Sequence, residues 1–329
     1  MEFKMNLHEN KALFKDAVMA TTQYKKLSEI YIEKDYWVTL ALNTIFTHEI
    51  GNQVVFKGGT ALSKCFGIIE RFSEDIDLVV LRNDGESDNL LSNKLKKIGK
   101  CLEKVLPEIE IEGITQKRGM NRKTAHRYQK VFEGDTGHIR RDIILEATWL
   151  GYFEPYTIAP VQSYIAEMMI AQQQINLIQA YHLQAFPVKV LTKERTFCEK
   201  IMSLVKFCFK PNPIFDLNNK VRHIYDIHKL LNDNDVYDFF KSPAFETMLL
   251  KVAHDDFVSY RNDNEWLYNH PAKAILFLEV EKTWNQIRKT YQTDFNALVF
   301  GTLPNEMQIL KTLHEIAIRI QPIKWSIEK

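Results

Sequence analysis

Apolar residues recur at helical intervals over two stretches near the start of the chain. Leu13, Ala17, Met19 and Ala20 mark one side of Glu9 to Leu27, and Ile32, Tyr36, Leu40 and Ile45 mark Ile30 to Ile50. The period then changes. Val54 to Phe56 is a short apolar run, Gly58-Gly59-Thr60 opens a short helical segment that ends near Gly67, and the residues after Asp77 read as a strand. Asn89 to Val105 is again helical, with Leu90, Leu91, Leu95, Ile98 and Leu102 on its buried stripe and Pro107 as its stop. Glu108 to Thr115 alternates acidic and apolar residues as a half-exposed strand does, Lys117 to Thr124 is a basic turn, and Ala125 to Phe132 is the predicted return strand. Glu133 to Gly137 is a turn and Ile139 to Trp149 another strand. Pro160 to Tyr181 reads as mostly helical and Phe186 to Leu191 as extended. Helical spacing dominates after residue 193, most clearly in Glu194 to Lys206, Asn218 to Leu231, Ala272 to Thr293 and Asn305 to Ile320. The pattern predicts an α+β fold: a mixed sheet flanked by helices over residues 1–192, then a mostly helical region over 193–329.

The strand around Asp77 carries the first chemistry. Side chains alternate along a strand, so Asp75 and Asp77 share a face while Ile76 and Leu78 turn to the other. Two carboxylates about 7 Å apart along a strand call for a positive neighbour. Mg²⁺, which takes one or two carboxylates with waters and phosphate oxygens, suits the place. The Gly58-Gly59-Thr60 turn before a helix lets the backbone approach an anion. Together they point to phosphoryl or nucleotidyl transfer. Asp142 and Glu146 are two further carboxylates on one face of the strand-like segment Asp142 to Glu146. Asp142 also reads as a surface acid paired with Arg140 or Arg141.

Composition adds limits. The 329 residues are 45% hydrophobic, enough for a sizeable core, and carry a net charge of +1, so any nucleic-acid surface must be a local patch. Such a patch is Lys117, Arg118, Arg122, Lys123, Arg127 and Lys130, with His126 and Tyr128 among them. Cys65, Cys101, Cys198 and Cys208 show no zinc spacing and read as buried thiols. With no apolar signal region and no run long enough to span a membrane, a cytoplasmic protein is expected.

Phe56-Lys57-Gly58-Gly59-Thr60-Ala61-Leu62-Ser63-Lys64 with Arg71-Phe72-Ser73-Glu74-Asp75-Ile76-Asp77-Leu78 resembles the AbiEii/AbiGii-type toxins of the DNA polymerase β-like nucleotidyltransferase superfamily. Glu33-Lys34-Asp35-Tyr36-Trp37-Val38, Arg195-Thr196-Phe197-Cys198-Glu199-Lys200 and Arg222-His223-Ile224-Tyr225-Asp226 are similar to further motifs of that family. Leu145-Glu146 matches the family's Leu-Glu, which favours Glu146 as the third metal ligand, although Ala147-Thr148-Trp149 replaces the Gly and Arg that often follow.

The resemblance implies a two-ion Mg²⁺ site on Asp75, Asp77 and Glu146, with Mn²⁺ as an alternative. It implies phosphate contacts from Lys57, Gly58, Gly59, Thr60, Arg71, Ser73 and Lys200. Asp226 would orient Lys200 or act as base, the helices bearing both closing the cleft, so Asp75, Asp77, Lys200 and Asp226 form the implied catalytic set. A nucleoside triphosphate donor, an RNA acceptor such as the 3′ end of tRNA, and a cognate antitoxin are the implied partners. Two alternatives remain at this point: nucleotidylation or phosphorylation of a protein, and a catalytically idle nucleotide-binding regulator.

Overall fold

The computed structural model describes all residues except 1–4, 74, 118, 135–139, 261 and 328–329. Arg118 of the basic cluster, Ile139 and most of the Glu133 to Gly137 turn therefore lie outside the described residues. The chain divides into two units, one formed by residues 1–66, 72–149 and 156–190, the other by 67–71, 150–155 and 191–329. Arg71 thus belongs with the C-terminal helices.

The first unit is a mixed seven-stranded sheet with helices. Helices α1 (Lys11–Lys25) and α2 (Glu29–Thr47) precede strand β1 (Val54–Lys57), helix α3 (Gly58–Lys64) and strand β2 (Ile76–Val80). Helix α4 (Asp88–Glu103) and strands β3 (Glu108–Ile109), β4 (Asn121–His126), β5 (Ile143–Thr148) and β6 (Tyr156–Val161) follow. Helices α5 (Tyr164–Ala171) and α6 (Ile175–Ala180) lead to β7 (Phe186–Leu191). The order across the sheet is β3-β4-β5-β2-β1-β7-β6. β2 runs antiparallel to β1 and parallel to β5.

One face of the sheet supplies Phe56, Ile76, Leu78, Val80 and Leu145 to a core shared with Phe14 of α1, Trp37 and Leu42 of α2, and Leu95 and Ile98 of α4. The alternate positions Lys57, Asp77, Glu146 and Lys123 project from the other face and are all half-buried.

Three expectations need correction. The Glu108 to Thr115 alternation yields a two-residue strand, because the chain turns at residues 111–115, where the Thr115 N–H donates to Ile111 O (3.0 Å) and Gly113 takes φ +74°. Its partner strand is Asn121–His126, earlier than Ala125 to Phe132, because residues 131 and 132 leave the sheet for α2. Residues 156–161, the last two of which were expected to start a helix, form the edge strand β6, the place in a sheet where Pro160 is tolerated.

Helix α2 buries three consecutive charges. Successive helical positions fan out by about 100° each, so Glu33, Lys34 and Asp35 reach different neighbours. Glu33 accepts from the Val131 and Phe132 N–H groups (2.7 and 3.1 Å). Lys34 donates to Arg140 O (2.9 Å) and Asp142 O (2.6 Å) and lies over the Tyr128 ring. Asp35 accepts from Lys64 Nζ at the end of α3 (2.5 Å) and from Tyr164 N at the start of α5 (2.7 Å). This motif is a set of braces between segments far apart in sequence.

The second unit is helical: α7 (Lys193–Cys208), α8 (Pro213–Asn219), α9 (Val221–Leu231), α10 (Asn234–Lys241), α11 (Pro243–Ser259), α12 (Ile275–Leu278), α13 (Val280–Thr290) and α14 (Glu306–Ile320). The long helix expected over Ala272 to Thr293 is broken at Glu279, where φ is −129°, and Thr283 Oγ1 donates to Ile275 O across the break. No described helix is long and apolar enough to cross a membrane.

Glu33→Ala would leave two backbone donors without their acceptor, and a stability loss of about 2–4 kcal/mol is expected. Glu33→Gln keeps a carbonyl oxygen and should lose about half as much. Urea denaturation of the three proteins measures both.

Candidate active site

In the sheet, Asp77 and Glu146 are direct register partners on β2 and β5. Lys57 stands opposite Asp77 on β1, and Lys123 opposite Glu146 on β4. One row across four strands therefore reads Lys57, Asp77, Glu146, Lys123. Like charges directly opposite destabilise a sheet, and here a lysine stands on each outer side of the acidic pair. Lys123 Nζ is 3.4 Å from Glu146 Oε2, and Asn121 Nδ2 donates to Glu146 Oε1 (3.0 Å).

Asp75 lies one residue before β2 begins, and the Arg140 guanidinium holds both its oxygens, at 2.9 and 3.2 Å. Its backbone is fixed too: Thr60 Oγ1 donates to Asp75 O (2.6 Å) and lies 3.0 Å from Ser73 Oγ. Thr60 is only 1% exposed, so its hydroxyl serves the approach to β2.

Gly58 has φ +83°, and a Cβ there would run into the Asp77 carboxylate. A glycine is required at this point both for backbone conformation and for room beside the acid.

The alternative third carboxylate resolves by position. Asp142 precedes β5, is buried, and pairs with Arg127 (3.0 Å). It is not a surface acid paired with Arg140 or Arg141. Lys34, holding Asp142 O, helps draw it inward. Glu146 alone of the two stands in register with Asp77.

Hard oxygen donors on neighbouring strands have the chemistry for Mg²⁺. They are not a ready-made cage: among the described residues no three His, Cys, Asp or Glu side chains converge as metal ligands. Arg140, Lys123 and Asn121 hold two of the three acids instead.

The second unit brings together Arg71, Lys200 and Asp226. Arg71 Nε and Nη2 donate to the two Asp226 oxygens, both at 2.7 Å, in a fork geometry. Lys200 Nζ donates to Asp226 Oδ2 (2.6 Å). All three are buried, Asp226 completely. Burial alone would raise the Asp226 carboxyl, but Arg71 and Lys200 outweigh it and hold the carboxyl far below the usual carboxylate range. Burial pushes the Lys200 ammonium down, against the pull of Asp226. A carboxylate held so acidic is a poor proton acceptor near neutral pH, so this arrangement suits orienting Lys200.

Asp226 and Arg222 are four residues apart on α9, a spacing that allows a local ion pair. Instead Asp226 points inward and Arg222 is exposed, because Arg71, 155 residues upstream, supplies a forked partner. Arg195 likewise is 1% exposed, donating to Glu154 O (2.7 Å) and pairing with Glu199 and Asp255.

A family model described as nucleotidyl transferase AbiEii toxin, type IV TA system, matches residues 40–316. The chain belongs to the AbiEii nucleotidyltransferase toxin family. No curated protein matches it. Membership in a type IV toxin–antitoxin family implies an antitoxin as partner. The AbiEii match spans the carboxylate row and the Arg71–Lys200–Asp226 cluster, and begins after the Glu33-Lys34-Asp35 braces.

The basic cluster is less available than its sequence suggests. Lys117 pairs with Glu108 and Glu110, Arg122 lies 3.6 Å from Glu108, and Arg127 pairs with Asp142. His126 is fully buried, against Thr124 Oγ1 and Leu106 O, and Tyr128 stacks on Trp37. These two rings belong to the core, contrary to the expectation that they face a ligand.

Two predictions follow from the geometry. Gly58→Ala must displace the Asp77 carboxylate, and nucleotidyl transfer should fall by about a hundredfold while circular dichroism still shows a folded protein. Asp226→Asn leaves two cations buried without their acid, and should cost about 3–5 kcal/mol in urea denaturation at pH 7. The native carboxyl is depressed, so its contribution is complete above the unfolded value near ~3.9 and disappears as pH falls through the lower native value. Between about pH 5 and 3 the variant should therefore lose stability less steeply than the wild type.

Proposed function

We propose that this AbiEii-family chain transfers a nucleotide from a nucleoside triphosphate to the 3′ end of an RNA, with tRNA as the acceptor class. The observation that carries the reading is the register pair Asp77–Glu146, with Asp75 two residues before Asp77, in a chain of a nucleotidyltransferase family. Asp75, Asp77 and Glu146 would hold Mg²⁺, which when bound neutralises phosphate charge and favours the ionised acceptor hydroxyl.

In this reading the acceptor oxygen bonds to the α-phosphorus. The bond to the bridging oxygen of the β-phosphate breaks, pyrophosphate leaves and the hydroxyl proton passes to solvent. Gly58 leaves space beside Asp77, and Thr60 fixes the backbone of Asp75, so the acids are positioned before substrate arrives. Lys200 serves as a phosphate point charge, and Asp226 with Arg71 sets its direction. Positioning and electrostatics account for most of the rate in such transfers.

The test uses purified protein, Mg²⁺, each α-labelled nucleoside triphosphate in turn and total tRNA. Label is expected in tRNA with one or more nucleotides. Asp75→Ala/Asp77→Ala should lower it about a thousandfold or more, equivalent to roughly 4 kcal/mol of transition-state stabilisation. Label on a protein band instead would replace RNA by a protein acceptor. Binding without any transfer would overturn the enzymatic reading.

A further inference from the structure

Arg140 supplies the positive partner of Asp75. Its guanidinium binds both oxygens of Asp75, and it comes from a segment 65 residues downstream. The position of residue 140 is fixed independently of that ion pair, since the fully buried Lys34 donates to Arg140 O (2.9 Å) and to Asp142 O (2.6 Å). The backbone that carries Arg140 is therefore held by a buried brace, so only its side chain has to be ordered to reach Asp75.

The partners differ in exposure: the Arg140 side chain is 44% exposed and that of Asp75 21%. A pair so open to water is weak and exchangeable. A guanidinium occupying both oxygens of a carboxylate and a metal ion bound by those oxygens compete for the same lone pairs.

We propose that Arg140 is the resident counter-ion of the acidic site, holding Asp75 in place until a divalent cation displaces it, with Lys34 as the residue that positions it. This rests on the reading that Asp75 and Asp77 bind a divalent cation. It assigns Arg140 a role in the metal-binding equilibrium, separate from the chemical step. No covalent bond changes in the exchange: Arg140 leaves the carboxylate as a solvated monocation and a divalent ion takes its place.

Mn²⁺ alone is the probe, titrated into nucleotide-free full-length protein and followed by loss of the free-ion electron paramagnetic resonance signal. Removing a competing cation should tighten binding, so Arg140→Gln is expected to bind Mn²⁺ about two- to fivefold more tightly than wild type, the range of an exposed ion pair. Arg140→Lys retains the charge and should stay closer to wild type. Asp75→Asn should weaken binding, and Arg140→Gln should bring no gain in that background. Weaker Mn²⁺ binding on Asp75→Asn with an unchanged or lowered affinity in Arg140→Gln would overturn the exchange while leaving the acidic metal site intact. If neither Asp75→Asn nor Asp77→Asn alters Mn²⁺ binding, the metal-site reading fails and the Arg140 proposal fails with it.

Discussion

Asp77 and Glu146 stand side by side on adjacent parallel strands, and the surroundings of the site follow from that adjacency. Two carboxylates in register repel, and a sheet does not accept such a pair without compensation. The compensation is built from the sheet outward. Lys57 and Lys123 flank the pair in the same row, Arg140 takes Asp75, and Asn121 donates to Glu146. The opposite face of the same strands is wholly apolar at Ile76, Leu78 and Leu145. That face fixes the register, because a slip of one residue would send Asp77 into the core. The hydrophobic packing under the sheet is thus what forces the two acids together.

Buried charge is handled the same way elsewhere, by supplying each ion with more than one partner. Glu33 has two backbone donors, Lys34 two carbonyls, and Asp35 a lysine and a helix N-terminal N–H. Asp226 has a forked arginine and a lysine. Burying an ion costs several kcal/mol unless its remaining lone pairs or protons are satisfied. These residues gain little net stability over apolar substitutes, and what they contribute is geometry. Glu33, Lys34 and Asp35 tie residues 131–132, 140–142, α3 and α5 to one helix. The second and third of these ties concern the segment that carries Arg140 and the end of the Gly-Gly-Thr helix.

The α+β class and most helices were legible from periodicity, since apolar stripes such as Leu91, Leu95, Ile98 and Leu102 are a local signal, although Leu90, read into the same stripe, is exposed. Asp75, Asp77 and Gly58 could be picked out because one short stretch contains them, but Gly58 was read as room for an anion, whereas the structure shows a positive φ and the Asp77 carboxylate beside it. The choice between Asp142 and Glu146 was not settled by spacing, as both share a parity along the chain; the parallel register with β2 separates them. Arg71 illustrates the limit most clearly. Its motif suggested phosphate, yet its guanidinium is spent on Asp226, a partner that no local pattern reveals. Arg140 was passed over as a neighbour of Asp142 because its partner Asp75 lies 65 residues away. Strand β6 was missed because Pro160 argues against a strand anywhere but at an edge, and edge status is a property of the assembled sheet.

The hairpin cations bear on the acceptor. A run of lysines and arginines in a sequence suggests a phosphate-binding surface, but what attracts a polyanion is the charge left after local pairing. Glu108 and Glu110 meet Lys117, Glu108 lies near Arg122, and Asp142 meets Arg127. Most of the hairpin's field is therefore cancelled at short range. If the acceptor is the proposed RNA, it would be engaged by fewer charges than the sequence advertises. A terminal nucleotide presented to a compact acidic site needs only its sugar and the last phosphates held. An enzyme that acts on the 3′ end has little physical need for an extended basic surface, and the neutralised hairpin is compatible with that economy of contact.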